Sequence, residues 1–113
     1  MHELSIAMAL MEQVEEVRQA NGGGTVVAVD VKVGAWQLVV PEILSGYFDQ
    51  LAEGTPLEAA EIRIESVEAT ARCKECSEEV SVEDNFLVCP QCGALGCTLL
   101  SGDELYLAGV ELD

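Results

Sequence analysis

From Leu4 onward the apolar residues Leu4, Ala7, Met8, Met11, Val14 and Val17 recur at spacings of three and four. That period predicts one buried helical face, stopped by Gly22, Gly23 and Gly24. The pattern then changes to a period of two. In TVVAVDVKVGA, Val27, Val29, Val31 and Val33 fall on one face and Ala28, Asp30 and Lys32 on the other, as in a half-buried strand. Pro41 suits the first turn of a second helix, PEILSGYFDQLAEG, where a missing N–H costs little. Leu44, Phe48 and Leu51 supply its buried stripe, and Gly54 ends it. A second alternating strand is expected from Glu61 to Val67, with Ile62 and Ile64 on one face. The closing ELYLAGVELD alternates once more, with Leu105, Leu107 and Gly109 opposite Tyr106, Ala108 and Val110.

Between these two alternating stretches the texture changes at Ala71. Residues 73 to 97 hold all five cysteines and few apolar residues that could build a core. If the last strand pairs with the first sheet, the cysteine segment becomes an insertion between two strands. The expected fold is therefore α+β: a small α/β domain of two helices on a three-stranded sheet, carrying an inserted zinc-ribbon-like domain. The first domain covers 1–70, completed by a strand in 103–113, and the second covers 71–102. A chain of 113 residues with 50% hydrophobic content is long enough for this arrangement.

The cysteines carry the clearest chemistry. Cys73-Lys-Glu-Cys76 and Cys89-Pro-Gln-Cys92 are CxxC pairs separated by twelve residues. Each pair turns two thiolates toward one ion, and two such turns complete a tetrahedron of Zn–S bonds of about 2.3 Å. Four thiolates close the site to water and substrate, so the zinc is expected to be structural. Its binding energy, roughly 10–16 kcal/mol in small zinc-folded peptides, substitutes for the missing core. A disulfide framework and a dithiol redox pair compete with this reading. A cytoplasmic chain argues against the first and the doubling of the pair against the second. Cys97 lies outside the pattern and is expected to be a small buried residue.

With the thiols accounted for, the single histidine of the chain, His2 in the opening MHELS, raises a separate question. An α-amine titrates near pH 7.7–8.0 and an imidazole near 6.5, so both are available to a metal close to neutrality. The Met1 amine, the His2 backbone nitrogen and the His2 Nδ1 can form fused chelate rings around one cation. The Glu3 backbone nitrogen, its carboxylate or a water can complete the plane. Planar nitrogen donors suit Ni(II) or Cu(II), whereas zinc prefers a tetrahedron and magnesium prefers oxygen. Such a site is exposed and incomplete, so its metal can leave. It should release that metal as pH falls through the imidazole range, while the thiolate site holds longer.

Charge and hydropathy exclude several function classes. Five Lys plus Arg against 21 Asp plus Glu give a formal charge of −16, which repels nucleic-acid backbones. The acidity reads as a solvated surface or as steering toward a basic partner or a divalent cation. No stretch approaches the roughly 20 apolar residues needed to span a bilayer. LSIAMALM is preceded by His2 and Glu3 where a signal peptide needs Lys or Arg, so a cytoplasmic location is expected and no membrane contact. One histidine, a closed thiolate site and no nucleotide-binding glycine loop argue against an enzyme.

MHELS, VVAVDVKVGAW, YFDQLAEGTPLEAAEIRIE, the two CxxC pairs with CPQC second, and SGDELYLAGVEL together resemble the HypA/HybF family of hydrogenase-maturation nickel metallochaperones. The resemblance spans essentially the whole chain. It implies a nickel-binding α/β domain with a protruding zinc domain, acting with a P-loop nucleotidase to insert Ni(II) into the large subunit of a [NiFe] hydrogenase. Residue by residue, it maps transferable nickel onto Met1, His2 and Glu3, and structural zinc onto Cys73, Cys76, Cys89 and Cys92. Some members place histidines beside their CxxC pairs; this chain has none there. The competing reading is a zinc-stapled protein–protein interaction adaptor without transferable metal.

Overall fold

The computed structural model describes residues 2–82 and 88–113, and its strands fall into two separate three-stranded sheets. In chain order the elements are α1 (Glu3–Ala20), β1 (Val26–Gly34), α2 (Pro41–Ala52), β2 (Glu61–Val67), β3 (Thr70–Arg72), β4 (Glu79–Ser81), β5 (Thr98–Ser101) and β6 (Leu105–Leu112). The first sheet has the order β2-β1-β6, with β1 parallel to β2 and antiparallel to β6. The second has the order β4-β3-β5, antiparallel throughout. All of the second sheet therefore lies between β2 and β6 in sequence: a two-helix, three-strand core with an inserted cysteine-rich region.

Both helices cover one face of the first sheet, and Ile6, Leu10, Val14, Val29, Val31, Leu44, Phe48 and Leu57 bury themselves between the layers. The opposite face is polar. There Arg63 sits between Asp30 at 2.9 Å and Glu111 at 3.2 Å, an exposed network of small energetic weight.

Four details depart from strict periodicity. In α1 the buried residues are Ile6, Ala7, Leu10 and Val14, whereas Leu4 and Met8 face outward. The helix is rotated because it packs on α2 and β6 together. In β1 the expected alternation fails at its start: Val27 is 46% exposed while Val26 and Ala28 are buried. The register explains it, since Val26 pairs with Leu112 and Ala28 with Glu111, leaving Val27 as an unpaired bulge residue. A second irregularity lies opposite, where Asp30 pairs with Gly109 but Val31 with Leu107. It shifts the face of β6, so Val110 and Leu112 join Leu105 and Leu107 against the core. In α2, Leu51 is only partly buried and Ala52 takes the innermost position.

The two sheets meet through backbone at very close range. Gly34 N–H donates to the Glu104 carbonyl at 2.6 Å, and Trp36 N–H to that of Gly102 at 2.8 Å. A Cβ on Gly34 would lie 1.9 Å from the Gly102 carbonyl oxygen, and one on Gly102 would lie 2.4 Å from Ala69 Cα. Only glycine fits either place. Trp36, just past β1, leans across this junction onto the second region's core. The result is elongated, 53 × 24 × 16 Å, with a radius of gyration of 17.4 Å. A single compact body of this length would give about 13 Å. Among the described residues no helix is long and apolar enough to cross a membrane.

Candidate metal centre

The two CxxC pairs form the same local structure. Cys73 N–H donates to the Glu78 carbonyl at 3.0 Å, and Ser77 N–H returns to the Cys73 carbonyl at 3.0 Å. In the second pair Cys89 N–H reaches the Ala94 carbonyl at 3.0 Å and Gly93 N–H the Cys89 carbonyl at 2.8 Å. The sequence offsets are identical, and in each case the residue after the second cysteine turns left-handed, Ser77 at φ 61° and Gly93 at φ 73°. That reversal points both sulfurs of a pair to the inside of their turn.

The turns face each other. Cys73 Sγ lies 3.5 Å from Cys92 Sγ, Cys76 Sγ lies 3.8 Å from Cys89 Sγ, and all four sulfurs are within 4.8 Å of one another. A tetrahedron with Zn–S bonds of about 2.3 Å has edges of about 3.8 Å, so the four sulfurs fit one thiophilic ion. Cys73 and Cys89 are buried, Cys76 half-buried and Cys92 exposed, and none of the five cysteines is in a disulfide. Among the described residues this is the only group of three or more His, Cys, Asp or Glu donors close enough to share an ion.

Their electrostatics divide by position. The backbone N–H of Cys76, against the effect of burial and helped by that of Glu75, brings the Cys73 thiol down to about 6. The N–H groups of Cys92 and Gln91 lower Cys89 in the same way. Cys92 behaves oppositely: although the Ala94 N–H draws it down, neighbouring Cys73 and then burial push it up to about 12. Cys76 also moves up, because burial and its neighbours Cys73 and Cys89 outweigh the Glu78 N–H. The first cysteine of each pair is thus shifted toward the thiolate and the second toward the thiol, and a cation would displace the protons that remain. Cys97 is buried, packed beside Cys73 and Cys89, and its thiol is pushed up by burial and then by Cys73.

Of the other candidate ligands, Met1 lies outside the described residues. His2 is exposed and holds the N-cap position of α1 in extended conformation, its carbonyl accepting Ile6 N–H at 3.1 Å. Its side chain makes no capping bond. Glu3 Oε2 accepts the Val40 N–H at 3.1 Å, which holds the Glu3 carboxyl below its usual range. This contact fastens the start of α1 to the start of α2. No sequence signal announced it, because a backbone donor 37 residues away has no side-chain signature.

A family profile described as "Hydrogenase/urease nickel incorporation, metallochaperone, hypA" matches residues 1–112. The hydrogenase maturation factor HypA of Streptomyces avermitilis is 43% identical over 113 residues, covering 98% of this chain and 86% of that protein. Its counterpart in Acidithiobacillus ferrooxidans is 36% identical over the full length of both. The solution structure of the Ni metallochaperone HypA from Helicobacter pylori superposes with a TM-score of 0.69 at 23% identity, covering 99% of this chain and 97% of that one. At that identity the superposition speaks for a shared fold.

Proposed function

We propose, since this chain belongs to the HypA/HybF family of hydrogenase-maturation nickel metallochaperones, that it carries Ni(II) on Met1, His2 and Glu3 and keeps a structural zinc on Cys73, Cys76, Cys89 and Cys92. Members of this family are metallochaperones and not enzymes. Residues 1–70 with 103–113 form the nickel-handling domain and 71–102 the zinc domain. The protein works in the cytoplasm, hands its nickel to the large-subunit precursor of a [NiFe] hydrogenase, and does so with a P-loop nucleotidase.

The observation that carries this reading is the position of His2. It is exposed and unpartnered by a cap, yet it directly precedes a helix whose first turns are pinned by Ile6 and Ala7 in the core and by Glu3 on Val40. A chelate there is open to exchange and held in a fixed place. Because the Glu3 carboxylate is engaged with Val40, the backbone nitrogen of Glu3 is the better fourth donor. The four thiolates are closed to exchange, which separates the cargo site from the structural one. The family's role in hydrogenase maturation supports a handover to a hydrogenase, and the nucleotidase and the large-subunit precursor are part of this proposal.

The test is a calorimetric Ni(II) titration of zinc-loaded protein with a native N-terminus, beside His2→Ala and a form with one glycine added before Met1. One tight nickel in the native protein alone is the expected result. Equal binding in all three, or in none, would replace the carrier with the zinc-stapled adaptor. Acidification should release nickel before zinc; simultaneous loss would count against two separate sites.

A further inference from the structure

The four sulfurs of the metal centre differ in what can reach them. Cys73 and Cys89 are each 1% exposed and Cys76 is half-buried, whereas Cys92 stands at the surface. Cys73 and Cys89 belong to the small core of this region and Cys76 packs against it; Cys92 belongs to neither group. The close sulfur contacts run across the two turns. Cys92 Sγ lies 3.5 Å from Cys73 Sγ, and Cys76 Sγ lies 3.8 Å from Cys89 Sγ. A reagent arriving from solvent therefore meets Cys92 first, with a buried sulfur of the other turn directly behind it. Exposure with a second thiol poised alongside is the arrangement that makes a cysteine sensitive to oxidants.

We propose that this centre is an oxidation site for peroxides, at which Cys92 is the sulfur attacked and Cys73 the one that closes on it, so that a Cys73–Cys92 disulfide takes the place of the ion. The proposal rests on the reading that the four-cysteine cluster holds zinc, which keeps all four sulfurs as thiolates. In the first step the Cys92 thiolate attacks one oxygen of hydrogen peroxide; the O–O bond breaks, leaving a sulfenic acid on Cys92 and releasing hydroxide. In the second, the Cys73 thiolate attacks the sulfenic sulfur; the S–S bond forms, the S–O bond breaks and a second hydroxide leaves. Two electrons have then passed from sulfur to peroxide oxygen. Zinc is left with Cys76 and Cys89, half the ligands of a structural site, and departs. The new bond ties one turn to the other, so the oxidised chain keeps them side by side, and reduction by a dithiol restores both to the ion. In a reducing compartment disulfides are of this transient, oxidant-sensing kind.

The test uses the full zinc-loaded chain in air-free buffer, with hydrogen peroxide added at one equivalent and released zinc read by a chromogenic chelator. Free thiols are then blocked with N-ethylmaleimide and the chain is cut after glutamate without reduction. Glu75 separates Cys73 from Cys76, and fragmentation in the mass spectrometer places the partner among Cys89, Cys92 and Cys97. The expected result is one zinc released per peroxide consumed, a Cys73–Cys92 linkage, a blocked Cys97, and full zinc content again after treatment with a dithiol and zinc. Brief exposure with dimedone present should label Cys92 alone. A linkage within either CxxC pair, a bond to Cys97, a first label on another thiol, or zinc retained while peroxide is consumed would each overturn the proposal. A chain that binds no zinc before peroxide is added would instead remove the zinc reading beneath it.

Discussion

The two halves of this molecule reach order by different routes. The α/β layer closes on large apolar residues, with Phe48, Leu44, Leu57, Val14 and Val29 fully buried. The cysteine region has a core of Ala69, Ala71, Val80, Val82 and three cysteines, and its strands are three or four residues long. So few methyl groups bury too little surface to offset chain entropy. On the reading that the cluster holds zinc, the ion replaces a hydrophobic core, and its binding free energy is folding free energy, roughly 10–16 kcal/mol in comparable peptides.

Stripping the metal with a chelator is therefore the largest perturbation available. Amide exchange should become fast in β3, β4 and β5 while α1, α2, β1 and β2 stay protected. Trp36, the single tryptophan, sits on the second region's core and should report the change by its emission. Loss of protection in both halves at once would mean that they form one cooperative unit, and the contrast between them would fail. Phe48→Ala is the converse experiment. It should cost the α/β layer about 3–5 kcal/mol and leave the metal content unchanged.

The junction sharpens the comparison. Gly34→Ala places a methyl group into backbone that has no freedom to withdraw. It should destabilise by about 3 kcal/mol, the upper range for overpacking, and should also disturb Trp36 emission with the metal in place. A variant with unchanged stability and emission would show that the two sheets are joined more loosely than their hydrogen bonds imply.

How much of this was legible in the residues follows from the range of the forces involved. The two helices and the strands of the first sheet, with β2 at Glu61–Val67, came from periodicity and stop signals, and the alternation of the last strand left it free to pair with that sheet; the short strands β3, β4 and β5 carry too few residues to show a period. The bulges at Val27 and Ala108 did not, since a bulge is a property of two paired strands and neither shows it alone. The four cysteines that come together were legible because ligand spacing is local. The packing of Cys97 into one cluster with Cys73 and Cys89 was not, because that neighbourhood depends on how β5 returns to β3. The glycine contact between the sheets, and Glu3 on Val40, likewise join residues far apart in sequence.

The two metal turns permit the smallest and most direct comparison. They share every backbone hydrogen bond, but one has serine and the other glycine at the left-handed position. A non-glycine residue in that conformation costs about 1–2 kcal/mol, while glycine at an equivalent place loses about 0.4–1 kcal/mol through its freer unfolded chain. Ser77→Gly should therefore stabilise the metal-loaded region slightly, by about 0.5–1 kcal/mol. Gly93→Ala should destabilise it by a similar amount, since a Cβ there meets no atom within 4 Å and only the backbone conformation is penalised. Both are measured by denaturant unfolding of the metal-loaded protein, followed by Trp36 emission. Opposite signs are the expected result. If both substitutions destabilise, Ser77 is held by something other than its backbone, and the two turns are equivalent in shape but not in energy.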